Sequence, residues 1–129
     1  VAKGAGMDLS TAFEAIKISS GNSFVHETES QVILNGSRDI SFTMGLVHKD
    51  ISLFQKIADN AGIPLEISPL MISIFEDGIS RYGENEFSPN IIKRLEEKTG
   101  LDITASGFPV EMVDDEAEEP GYEVVPIRK

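Results

Sequence analysis

Two ionisable side chains stand side by side in an otherwise apolar stretch. They are Lys49 and Asp50, within Phe42-Thr-Met-Gly-Leu46-Val-His-Lys-Asp-Ile-Ser-Leu53-Phe54. A lysine ammonium is a point charge that can hold a carboxylate or phosphate. A carboxylate among apolar side chains must be hydrogen-bonded or paired, because desolvating it is costly. Sequence neighbours on a helix point about 100° apart, so the two are poorly placed to pair with each other. Two readings of Asp50 follow. It caps a neighbouring backbone turn while Lys49 extends to water, or it fixes the geometry of a cleft into which Lys49 points. A second polar cluster, Ser19-Ser20-Gly21-Asn22-Ser23, reads from its residues as an interhelical turn. The histidines, His26 and His48, are too few and too isolated for a metal site. Ser20, Ser23 and His26 do not make a nucleophilic triad, since closeness in sequence does not create that geometry. Glu27, Glu29, Glu96 and Glu97 read as solvated helix faces.

The element that must position Lys49 is a helix. No Gly or Pro falls between Leu46 and Ala61, and Gly62 with Pro64 forms a stop signal. At about 100° per residue, Leu46, Val47, Ile51, Leu53, Phe54, Ile57, Ala58 and Ala61 share one half-circle. Asp50 falls inside that half and Lys49 at its rim, while His48, Ser52, Gln55 and Asp59 lie opposite. So wide an apolar half predicts a helix buried against several neighbours. It also predicts a largely buried Asp50 that accepts backbone N–H groups near Gly21 to Ser23, a partly exposed Lys49 without a strong internal pair, and an exposed His48.

Punctuation divides the rest of the chain into further helices. Gly4 to Gly6 closes an incoming helix and Asp8 caps the next, whose buried stripe is Leu9, Ala12, Phe13 and Ile16. Asn22 or Ser23 caps a helix running to about Leu34, with Phe24, Val25, Val32 and Ile33 as apolar members, and Asn35-Gly36 turns the chain. Ser68-Pro69 and Ser88-Pro89 each read as an N-cap with proline at the first helical position. The second of these helices buries Ile91, Ile92 and Leu95. Strand signal is nearly missing before residue 102, so the expected class is all-α, with about five or six helices.

Three motifs in order carry a family resemblance. Phe42, Leu46, Lys49-Asp50 and Leu53 followed by Ala-Gly-Ile-Pro resemble the signature of the carboxy-terminal domain of the β-hydroxyacid dehydrogenases, with Ile51 where leucine is usual. Ser19 to Phe24 is similar to that family's Ser-x-Gly-x-Ser segment. Ala5-Gly6-Met7-Asp8 resembles the Ala-Gly-Leu-Asp that closes its interdomain helix. The resemblance covers roughly residues 1 to 98 and implies a helical fold like the carboxy-terminal domain of 6-phosphogluconate dehydrogenase. It implies an enzyme that oxidises a small hydroxyacid, 3-hydroxyisobutyrate-like, with NAD or NADP. Lys49 then contacts the cofactor, and Phe42, Asp50, Ser20, Gly21, Asn22 and Ser23 line or support the cleft. Such domains commonly form homodimers or larger assemblies.

The Gly-x-Gly-x-x-Gly turn of a dinucleotide-binding domain is missing, as is the Gly-x-x-x-Lys-x-x-Asn-Asn segment that carries the family's catalytic lysine. The expectation is a chain that begins just after the catalytic lysine's helix, has no catalytic residue of its own and is inactive alone. Two other readings remain: a non-catalytic helical dimerisation module, and a regulatory protein that keeps this domain without its chemistry.

Composition bounds these readings. The 129 residues, 40% hydrophobic, suit one domain. The net charge of −11 argues against nucleic-acid binding. No apolar run approaches a membrane span, and nothing resembles a signal peptide. The absence of cysteine excludes disulfides and fits a reducing cytoplasm. Eight of the 22 acidic residues fall within 102–129. The expected organisation is therefore a helical domain over 1–101 and an acidic tail over 102–129, partly ordered or extended.

Overall fold

Side-chain caps start three of the five α-helices among the described residues, and left-handed glycines close two. A computed structural model describes residues 1–115. The acidic run beyond Asp115, Pro120-Gly121 and the Tyr122–Val124 segment lie outside the described residues. After a 3-10 turn at Lys3–Ala5, Asp8 accepts the Thr11 N–H at 2.8 Å and starts α1 (Leu9–Lys17). Ser23 accepts the His26 N–H at 3.0 Å and starts α2 (Phe24–Asn35), which Gly36 ends. Thr43 caps α3 (Met44–Asn60) through the Leu46 N–H. Then come α4 (Ile67–Tyr82), a 3-10 turn at Ser88–Ile92, and α5 (Lys93–Thr99). Among the described residues the fold is all-α, with five α-helices and a single isolated β-bridge, Thr43 to Phe87.

The helices pack as two groups. α1 lies on α2, and α3 lies along α4 with the 3-10 turn beside it. Met44 and Val32 are fully buried, supported by Phe13, Leu34 and Ala58. Gly78 in α4 permits close approach: a Cβ there would stand 3.1 Å from Met44 Sδ and 2.5 Å from Ile91 Cδ1. Arg38 joins the two groups. Its buried guanidinium reaches Asn90 at 3.2 Å and Glu96 at 2.6 Å.

Several helix expectations need correction. Among the described residues α3 packs chiefly on α4 and the 3-10 turn, so a stripe is covered rather than a half-circle. Met44 and Ala58 are buried, while Leu46, Leu53, Phe54 and Ile57 are exposed, Ile57 by 67%. Ile16, Phe24 and Val25 are exposed too. Ser68 does not cap α4, which begins one residue earlier. Pro69 is tolerated in the first turn because the missing N–H would have had no helical acceptor there. Ser88 opens a 3-10 turn that runs on into α5, and it lies inside that turn, behind Phe87 at the cap position, with no side-chain cap. Its N–H bonds Phe42 O at 2.8 Å, beside Met44 N–H to Glu86 O and Gly45 N–H to Glu84 O. The residues buried in that turn are Ser88, Pro89 and Asn90, whereas Leu95 is exposed.

Residues 101–113 form no helix or strand but are tied to the α1–α2 pair. Ala105 N–H bonds Leu34 O at 2.8 Å, Asn35 Nδ2 donates to Phe108 O at 2.8 Å, and Ser37 Oγ donates to Val110 O at 2.6 Å. Phe108 packs edge-on against Phe13, with ring centroids 5.2 Å apart.

Candidate functional site

Lys49 and Asp50 lie one turn and a half into α3, on its solvent side, and pair with each other. Lys49 Nζ stands 2.7 Å from Asp50 Oδ1, with side-chain exposures of 58% and 54%. The expected burial of Asp50 is therefore wrong, and so is its bonding to backbone N–H groups near Gly21 to Ser23. The apolar half that would have enclosed it is open, leaving both side chains free to swing round and meet. In solvent such a pair stabilises the fold little, so it is available for another partner. Lys49 is exposed, as expected, but it is not unpaired.

The pair sits beside a groove of about 640 Å³ between α3 and the start of α4. Asp50 lines it together with Ile51, Phe54, Leu65, Ser68 and Met71. Ser68 is buried, and its hydroxyl has no hydrogen-bond partner among the described residues. Phe42, two residues before α3, is partly exposed and is held by its carbonyl bond from Ser88 N–H. His48 is half-buried rather than exposed, its Nε2 3.6 Å from Glu76 Oε1.

The Ser19–Ser23 loop is a well-bonded turn. Ser19 Oγ donates to Ile16 O and accepts the Gly21 N–H at 3.1 Å. Asn22 Nδ2 donates to Glu27 Oε1 at 2.5 Å, and Lys17 lies 3.4 Å from the same carboxylate. The Asn22 amide, reinforced by Lys17, holds the Glu27 carboxyl below the usual carboxylate range. Ser20 and Gly21 are exposed. Among the described residues no hydrogen bond or ion pair links this loop to Lys49 or Asp50.

Two structural pairings were not visible in the sequence. His26 is not isolated: its ring stacks on Phe13 at 4.7 Å and its Nε2 lies 3.0 Å from Phe13 O. Glu96 is no solvated face, since it accepts from Arg38 and from Ile103 N–H at 3.0 Å. Nothing in the sequence near Arg38 signals a partner 58 residues away. Among the described residues no three His, Cys, Asp or Glu side chains are grouped to hold a metal ion, and no helix is long and apolar enough to cross a membrane.

An all-helical domain presenting a lysine–aspartate pair on its longest helix has the form expected of a dehydrogenase's helical part. Residues 1–95 match the family described as NAD-binding of NADP-dependent 3-hydroxyisobutyrate dehydrogenase. The chain belongs to this family of β-hydroxyacid dehydrogenases. Over 100 residues it is 30% identical to 2-(hydroxymethyl)glutarate dehydrogenase of Eubacterium barkeri, a match covering 77% of this chain and 33% of that protein. The chain thus spans about a third of the length of that relative.

Proposed function

We propose that this chain is the helical part of a cytoplasmic NAD(P)-dependent dehydrogenase that oxidises a small β-hydroxyacid, and that it closes the active-site cleft and mediates dimerisation. The observation carrying this reading is the family match across residues 1–95, which includes the exposed Lys49. The sequence has no Gly-x-Gly-x-x-Gly turn to cradle a pyrophosphate, so the residues present fit one edge contact with a dinucleotide rather than a complete site. The nicotinamide, when bound, supplies the hydride acceptor. Lys49 offers its ammonium to an anionic group of the cofactor or to the substrate carboxylate, exchanging its Asp50 partner for a ligand. Asp50 keeps the ammonium near the cleft when no ligand is there. The Ser20, Gly21, Asn22 and Ser23 loop offers hydroxyls and an amide to polar substrate groups, and Phe42 provides an apolar wall.

The test is an assay of the complete dehydrogenase containing this chain, with NADP or NAD and either 3-hydroxyisobutyrate or 2-(hydroxymethyl)glutarate. Reduction of the nicotinamide, followed at its absorbance band, is expected with at least one pair. No reduction with any hydroxyacid of this class would overturn the reading.

A further inference from the structure

The family match ends at residue 95, yet the chain continues back across α1 and α2 in a specific way. Phe108 lies edge-on against Phe13 at 5.2 Å, and Phe13 is stacked on His26 at 4.7 Å. His26 Nε2 is 3.0 Å from Phe13 O, so the ring links the two helices by a hydrogen bond as well as by packing. The His26 backbone N–H in turn bonds Ser23 Oγ, the last residue of the Ser19–Ser23 loop. One continuous column therefore runs from the segment after α5, through Phe13 and His26, to the loop. The segment is pinned by Asn35 to Phe108 O, Ser37 to Val110 O and Ala105 to Leu34 O. Ser30 Oγ lies 3.3 Å from His26 Nδ1 and steadies the ring from its other side.

We infer that Phe108 is a positioning residue for substrate binding: the segment 101–113 acts as a clamp that, through Phe13 and His26, holds the Ser19–Ser23 loop in one conformation. This rests on the proposal that the loop faces the substrate cleft. Aromatic packing of this kind restricts the two helices relative to each other, and a loop whose far end is fixed to α2 by the Ser23 cap and the Asn22–Glu27 bond depends on where that helix begins. A misplaced loop weakens ligand binding while leaving hydride transfer to groups elsewhere.

Two measurements test it. Hydrogen–deuterium exchange on the chain compares wild type with Phe108→Ala and, as a milder release, with Asn35→Ala combined with Ser37→Ala. Exchange in residues 19–28 is expected to become about fivefold faster, with residues 67–82 unchanged, and Phe108→Leu should restore much of the protection. In the complete dehydrogenase, Phe108→Ala should raise KM for 3-hydroxyisobutyrate about tenfold with kcat little changed. Unchanged exchange at 19–28, or acceleration spread evenly through the chain, overturns the clamp. Local acceleration with an unchanged KM leaves the clamp standing and overturns the placement of the loop at the cleft.

Discussion

Arg38 Nη2 stands 2.6 Å from Glu96 Oε1, and Arg38 holds that position from a left-handed backbone with φ +56°. The same Glu96 oxygen accepts the Ile103 N–H, and Arg38 Nη1 reaches Asn90 Oδ1. One ion pair, buried at Arg38 and half-buried at Glu96, therefore ties together the loop after α2, the turn before α5 and the start of the closing segment. Removing one partner of such a pair leaves a desolvated charge. Arg38→Ala is expected to destabilise the chain by about 3 kcal/mol or more, read from urea unfolding. Arg38→Met combined with Glu96→Leu should recover part of that loss, because no charge is then stranded. A single substitution without effect would show the pair to be solvated.

Gly78 concerns the packing of α4. Alanine in a helix interior is ordinarily favoured over glycine by about 1 kcal/mol. Here the new Cβ would crowd Met44, which is fully buried, and Ile91. Gly78→Ala should therefore destabilise by roughly 1–2 kcal/mol. A rise in melting temperature would mean that α4 and the 3-10 turn yield easily.

Asp77 sets an acid dependence. It receives Arg94 Nε at 2.5 Å and Arg81 Nε at 2.9 Å. Chiefly Arg94, and then Arg81, hold its carboxyl below the ordinary 3.8. A depressed folded-state value contributes stability that is fully present above about pH 4 and is lost as pH falls through the lowered value. Wild type should lose stability over that acid range, whereas Asp77→Asn should be less stable at neutral pH and show a shallower loss. Parallel stability–pH curves for the two proteins would contradict this assignment.

The exposed apolar side chains of α3 and α4 concern assembly. Leu46, Leu53, Phe54, Ile57, Ile67, Leu70 and Met71 all face solvent in the single chain, and contiguous patches of this kind favour association. The chain should scatter light as a dimer or larger at micromolar concentration. Phe54→Lys with Ile57→Lys should shift it towards monomer while preserving helicity. A monomeric wild-type chain would remove dimerisation from the proposed role.

How much of this was legible in the sequence follows from the range of each interaction. The cap at Asp8, a cap at Asn22 or Ser23 and the turn at Asn35-Gly36 are readable because each is settled within four residues, and the structure gives the second cap to Ser23. The Lys49-Asp50 motif is recognisable, but the burial that the sequence suggests for Asp50 is not found. A helical wheel counts apolar residues on a face without knowing whether a neighbour covers them. Ser88 carried a local cap signal, but the structure puts Phe87 at the cap position and ties Ser88 N–H to Phe42 O, 46 residues earlier, which no local rule reports. The Arg38–Glu96 pair and the Phe108–Phe13–His26 column join residues far apart in the chain, and no spacing rule reports them.

Lys49 offers the most direct test of the central claim, because its structural and functional roles should separate. Its pair with Asp50 is exposed, so Lys49→Ala should change the stability of the chain by about half a kcal/mol or less. On the proposed function, the same substitution in the complete dehydrogenase removes a charge contact from the closed cleft. The decisive measurement is kcat/KM for the hydroxyacid and the nicotinamide cofactor, compared between wild type and Lys49→Ala. A fall of about a hundredfold is expected, with the melting temperature of the chain unchanged. Unchanged kcat/KM would contradict the account and take Lys49 out of the site.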